Sequence, residues 1–404
     1  MKIPSFSPAG NRARAVILGG LLVFATVVGV GAGSLAATMV SSGPRPSTGD
    51  DPALAPGLAG SPLPSPSDLV VLTPTAAPTP TPAPTPILVP APLTGLPVSV
   101  QASMQHVVAV MVDDHRDARP QSGFNAASQV WQVPAEGGIP RYMMIFQETV
   151  PGEVGPIRSA RQYFIEWASE WKALYVHVGG APNALATLRS KGRGELVYNA
   201  DGFRFEGTQM WRDTTRTAPH NEYTDGPHLR AMAKIVGAAD VPITPAWTFG
   251  PAASTWKRPA GTSIVVTYPY ETITYRYDAA TNSYPRFIDK SATQQVDAAD
   301  GQPVAASNVV ILRVRFGALN DGHPSKKRLE AEDVGSGEAI ISSNGQVIRG
   351  TWEKTAVDAP TLLFGPDGEP ITLTAGQTYV QVLALSYGYA IVEGIPPDQG
   401  IRER

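Results

Sequence analysis

The sequence contains no cysteine. That excludes disulfides, thiolate metal sites, cysteine nucleophiles and a lipid-modified cysteine as anchor. Charge is sparse and nearly balanced: Asp, Glu, Lys and Arg supply 17% of the residues, and the formal net charge is −3. No overall attraction to nucleic acid follows, and no basic stripe of the DNA-binding kind is present. Any electrostatic partner must be sought in local clusters. Also missing are a P-loop, a GxGxxG fingerprint, a GxSxG nucleophile elbow and an HExxH pattern. Proline is abundant instead, 39 in 404 residues with many bunched near the N-terminus. Such bunching marks linker, and it leaves roughly 310 residues, enough to bury real cores.

Residues 15–40 carry no charged side chain over 26 positions, more than the ~20 needed to cross a bilayer. Lys2, Arg12 and Arg14 precede this run, and the next basic residue is Arg45. The positive-inside rule then predicts a cytoplasmic tail over 1–14, a transmembrane helix over 15–40, and everything after about Ser41 outside the cytoplasm. A cleaved signal peptide is the rival, since Ser34-Leu35-Ala36 offers small residues for cleavage. Both readings export the rest of the chain. Residues 41–91 are rich in Pro, Thr, Ala, Ser and Gly, and alternate strictly at TPTPAPTP over 79–86. This composition predicts a disordered, extended linker; at about 3.1 Å per residue it reaches on the order of 150 Å. That is a stalk long enough to lift a head into a cell wall.

The head reads as an α/β domain with a mixed sheet over 92–245, then a mostly antiparallel β domain over 246–390, then a tail over 391–404. The apolar run 107–112 predicts a strand covered on both faces, ending in Asp113-Asp114-His115. Further strands are expected at 129–133 and 141–147, with Tyr142, Met144 and Phe146 sharing a face. Ser159 with Gln162 three residues on matches a capping box, so a helix should start at Ser159. Its core face would be Ala160, Phe164, Trp167, Ala168 and Trp171. A strand at 174–178 and a second helix from Pro182 follow. Strand, helix, strand argues for parallel pairing, and ligands of such sheets sit beyond the strands' carboxyl ends. From 262 onward come short strands at 264–267, 273–277, 284–288, 309–314, 339–342, 347–352, 361–364 and 378–383. Asn344-Gly345 and Asp367-Gly368 between them are hairpin signals.

Arg158 and Arg161 would flank the first turn of the helix begun by Ser159, where the macrodipole already disfavours a cation. Something negative should compensate. An external phosphate or carboxylate is one answer; internal pairing with Glu136, Glu148 or Glu153 is the other. Arg119, Arg141 and Arg212 also lie beside turns and, with Ser159, join the candidate anion-binding set. Asp113, Asp114, His115, Glu136, His177, His220 and Asn221 form a possible polar site. His177 and His220 are either acid–base groups or satisfied hydrogen-bonding residues. No metal-ligand spacing links these residues, so no resident metal or other cofactor is expected. Lys326-Lys327-Arg328 reads as solvated surface, or as a contact for an anionic wall polymer.

Several ordered motifs add a resemblance. VVAVMVDDHRDARPQSGFNAASQVWQVPAEGGIPRYMMIFQE, VGPIRSARQYFIEWASEW, ALYVHVGG and WRDTTRTAPHN resemble the YerB-like lipoprotein family. YPRF, SNVVIL, GSGEAIISSNGQVIRGTWEK and LTAGQTYVQV resemble its second domain. The family is a domain of unknown function whose members are envelope proteins, commonly lipid-anchored; here the apolar helix would replace the lipobox cysteine. The element order is also similar to the LytR-CpsA-Psr phosphotransferases, although Ser159 and Ala160 stand where those enzymes carry an acidic residue. The expectation is therefore an anchored extracytoplasmic protein that binds an anionic envelope polymer or a wall-synthesis protein, and no nucleic acid. The alternative is a phosphotransferase or hydrolase in which Arg158 and Arg161 hold a pyrophosphate and Asp113 or Asp114 holds a divalent metal.

Overall fold

The computed structural model describes residues 87–259 and 261–393. The expected tail 1–14, the helix 15–40 and most of the linker 41–91 lie outside these residues. Among the described residues, no helix is long and apolar enough to cross a membrane.

Ten strands build one mixed sheet. Its spatial order is Leu362–Phe364, Gln346–Lys354, Gly335–Ser343, Asn308–Val314, Thr378–Ala384, Gln129–Val133, Arg141–Phe146, Val108–Asp113, Leu174–His177 and Tyr198–Asp201. The two halves of the head meet in its middle, where Thr378–Ala384 pairs in parallel with Gln129–Val133. Val108–Asp113 is antiparallel to Arg141–Phe146 and parallel to Leu174–His177. In the C-terminal half two parallel pairs interrupt the antiparallel order, Asn308–Val314 with Thr378–Ala384 and, outside the large sheet, Thr248–Gly250 with Thr372–Thr374.

Burial on both faces explains the apolar strand sequences. Val108, Val110, Val112, Tyr142, Met144 and Phe146 belong to one core. Helix Gly226–Val236 and a five-stranded antiparallel sheet cover that side; the sheet is ordered Ala305–Ala306, Tyr284–Ile288, Thr272–Arg276, Thr262–Thr267, Gly388–Glu393. Ala109, Met111, Met143 and Ile145 point the other way, into a second core closed by helices Gln162–Ala168 and Pro182–Lys191. Ends expected as linker and tail are structured where they are described: Leu88–Pro90 pairs with Pro97–Ser99, and Gly388–Glu393 edges the smaller sheet.

The Asn344-Gly345 turn closes Gly335–Ser343 onto Gln346–Lys354, with φ of 53° and 74° at its two residues. A Cβ at Gly345 would sit 2.2 Å from the Tyr277 ring, so only glycine fits. Asp367-Gly368 differs from expectation. Only Gly368 has positive φ, and the loop is wider, closed by Gly365 N–H to Glu369 O.

The helix start also differs. It spans Gln162–Ala168, with Arg161 at its cap and no capping side chain. Residues 157–160 are extended because their backbone is committed elsewhere: Arg158 N–H donates to Met111 O, Val178 N–H to Arg158 O, and Ala160 N–H to Gly179 O. Starting a helix at Ser159 would break these pairings for one capping bond. Gly155 opens this segment at φ 151°, where a Cβ would meet Glu222 O at 2.8 Å.

Candidate functional site

The woven segment 157–161 lies at the carboxyl ends of Val108–Asp113 and Leu174–His177, where sheet polarity favours a site. It delivers Arg158, Ser159 and Arg161 to an open cleft of about 340 Å³, together with Arg141, Glu136, Lys326 and Arg328. The helix-dipole reason for expecting an anion does not hold. Arg158 lies outside the helix, and Arg161 caps only seven residues. Charge balance is a different matter.

Five cations line the cleft, and three carboxylates answer them. Glu136 accepts from Arg161 Nε and from Arg141 Nη2 (3.3 Å). Asp321 takes Arg328. Asp113 Oδ2 lies 3.0 Å from Arg158 Nε. That last contact lacks hydrogen-bond alignment, so Arg158 Nε stays a buried donor without an acceptor among the described residues. Lys326 makes no ion pair among the described residues. Burial, then the neighbouring charges of Arg161 and Arg158, push Arg141 down to about 10, still fully ionised at neutral pH. Burial opposes ionisation of Glu136, but the Arg161 hydrogen bond and the Arg141 charge outweigh it and hold the carboxyl below its usual range.

The other predicted residues fall elsewhere. Arg119 joins a closed cluster between the two sheets, paired with Glu271 and with Asp114 at 3.3 Å. Gln132 bridges both carboxylates at 2.6 Å, and fully buried Arg286 reaches Gln132 and the Tyr142 hydroxyl. Two guanidinium groups balance two carboxylates there. Burial raises the Asp114 carboxyl to about 6 against the lowering charges of Arg119 and Arg286. Arg212 pairs with Glu206 and Glu222 and donates to Asn221, which braces its own loop. His177 is buried with Nδ1 on Gly179 O and Nε2 on Asn199 Oδ1, a satisfied structural residue.

Asp113 links the cleft to a histidine pair. Its Oδ2 meets His220 Nδ1 at 2.6 Å, its Oδ1 accepts the His115 N–H at 3.0 Å, and the two imidazoles stack at 4.8 Å. Both oxygens of Asp113 are thus engaged by the protein, and Asp114 is enclosed. Sequence reasoning missed Lys326 and Arg328 as cleft residues. Their triplet was visible, but nothing local places it against residues 165 positions earlier.

Residues 93–238 match the N-terminal domain of a protein family of unknown function, DUF3048, and residues 264–380 match its C-terminal domain. The chain belongs to the DUF3048 family. A curated relative, described as "Putative lipoprotein YerB" of Bacillus subtilis (strain 168), is 31% identical over 300 residues, covering 72% of this chain and 86% of the relative. The crystal structure of YerB from Bacillus subtilis superposes with a TM-score of 0.66 at 28% identity, over 75% of this chain and 99% of that one. The mixed large sheet with a smaller antiparallel sheet is therefore the YerB-like fold. The cleft draws on both DUF3048 domains, Glu136 to Ala181 from the first and Lys326 and Arg328 from the second.

Proposed function

We propose that this DUF3048 protein works in the cell envelope, held outside the cytoplasm by the single helix 15–40 and the stalk 41–91, and that its cleft binds an anionic envelope ligand. The relative described as a lipoprotein supports the location; the absence of cysteine here makes the apolar segment the anchor. The excess of five cations over three carboxylates around an open cavity carries the ligand reading. Arginine forks suit phosphate or carboxylate groups of a wall polymer or of a wall-synthesis protein. Inorganic pyrophosphate and a phosphate-bearing wall polymer titrated into the purified full-length chain should bind saturably and weaken with salt. Arg158→Ala combined with Lys326→Ala should raise Kd at least tenfold. Equal binding by the double variant, or none by the native chain, defeats the proposal.

The phosphotransferase or hydrolase reading draws on one observation, the 2.6 Å Asp113–His220 contact on the same carboxylate that Arg158 approaches. An imidazole oriented by a carboxylate is a competent base. Turnover of a polyprenyl pyrophosphate that is lost in His220→Ala would favour it, and binding without turnover would leave the binding module.

A further inference from the structure

We propose that His115, Asp117 and His220 form a divalent transition-metal site, two imidazoles and one carboxylate of the kind zinc accepts, beside the cleft and independent of its anion. Each residue offers one ligand atom, and all three atoms lie within 4.8 Å of one another. Tetrahedral zinc with bonds of 2.0–2.1 Å sets ligand atoms about 3.3 Å apart, so metal binding draws the widest pair of this trio in by at most roughly 1.5 Å. Asp117 has that freedom, with its side chain 72% exposed, and His115 is one-third exposed.

His220 is oriented in advance. Its Nδ1 faces Asp113 Oδ2 at 2.6 Å, and its Nε2 makes no hydrogen bond among the described residues. A carboxylate on one imidazole nitrogen fixes the tautomer that leaves the other nitrogen's lone pair for a metal. The same Asp113 holds the backbone of His115, whose ring stacks on His220 and Tyr270 and whose Nδ1 accepts the Asp117 N–H at 3.2 Å. Metal binding must therefore turn the one-third-exposed His115 ring out of the stack to aim a lone pair at the ion. His106 and His177 differ: oxygen atoms occupy both ring nitrogens in each. Three protein ligands leave a fourth position for water.

The test is calorimetric titration of Zn²⁺ into the full-length chain, purified without a histidine tag, with Co²⁺ as a visible-absorption probe of geometry. One saturable site per chain and a tetrahedral Co²⁺ spectrum are expected. His115→Ala and His220→Ala should each weaken binding about a hundredfold or more. Asp117→Asn should weaken it at least tenfold and, being an exposed change, keep the native melting temperature. Asp113→Asn should cost 10–100-fold as a positioning residue. Absence of saturable binding below 1 mM on the order of weak adventitious sites, or native affinity in all three ligand variants, overturns the site.

Discussion

Glu136→Gln probes the cleft where its charge balance is tightest. Glu136 is the one carboxylate shared by Arg141 and Arg161, whose side chains are 11% and 9% exposed. Removing one partner of a buried ion pair costs about 3–5 kcal/mol. Glu136 itself is 19% exposed and glutamine keeps one acceptor oxygen, which places the loss at the low end, about 3 kcal/mol. At about 2 °C per kcal/mol for a unit of this size, melting should fall by roughly 6 °C.

The same substitution leaves two guanidinium groups facing an open cavity. If that cavity accepts anions, sulfate should take the place of the lost carboxylate. At a hundred times its Kd a ligand returns about 2.7 kcal/mol, nearly the whole loss. The assay is thermal melting of native chain and variant in sodium sulfate and in sodium chloride of equal ionic strength. Glu338→Gln, at a surface pair with Arg349, controls for the general effect of sulfate on burial. The variant should gain about 5 °C more from sulfate than the native chain or the control. Equal gains in all three would show that the loss of Glu136 opens no anion position in the cleft and would refute this reasoning.

Three further outcomes are expected. Burial, and then the charge and hydrogen bond of Glu166, raise the Asp333 carboxyl to about 8. The folded state keeps a proton that the unfolded chain releases near pH 4, so this group's stability contribution is full below about pH 4 and lost by about pH 8, at ~1.4 kcal/mol per unit. Asp333→Asn should therefore gain on the native chain across that window in urea melts, and a pH-independent difference refutes the pairing. Arg286→Met should destabilise by about 3–5 kcal/mol, because Asp114 and Glu271 would remain buried with only Arg119 beside them; an unchanged urea midpoint would deny that the cluster needs both cations. Gly345→Ala forces a left-handed residue against Tyr277 and should cost about 2 kcal/mol or more in the same assay.

Much of the fold was legible because strand signals are local. Tyr284–Ile288 and Gln129–Val133 carry their limits in their own residues, and Asn344-Gly345 needs no context to turn. The helix start was not legible. Ser159 and Gln162 satisfy a capping pattern, yet Met111 and Gly179 claim the backbone around them, and those claims exist only after the sheet forms. Pairing of Thr378–Ala384 onto Gln129–Val133 is equally non-local, a register set across some 250 residues. At the site, sequence brought forward Arg141, Arg158 and Arg161, which the structure does place together. It also brought forward Arg119 and Arg212, which resemble them only in lying beside turns.

What separates the two arginine sets is strand parity. Side chains alternate between faces, so Met111 and Asp113 leave one face of the strand while Val112 leads on to Asp114 on the other. Arg141 opposes Asp113 in register and shares its face; Tyr142 and Gln132 oppose each other one step on and share the face of Asp114. The second face is roofed by the smaller sheet, which supplies Glu271 and Arg286 and encloses a charge-balanced cluster. The first face is covered by helices only as far as the strands run. Past their ends runs the extended segment 157–161, and the cleft opens beside it. Neighbouring aspartates, Asp113 and Asp114, are thus sent to different environments by one residue of pleat. A single-residue shift of Val108–Asp113 would exchange them, sending the histidine partner into the closed cluster and the partner of Arg119 to the side of the cleft, which is why the register of this strand determines the site.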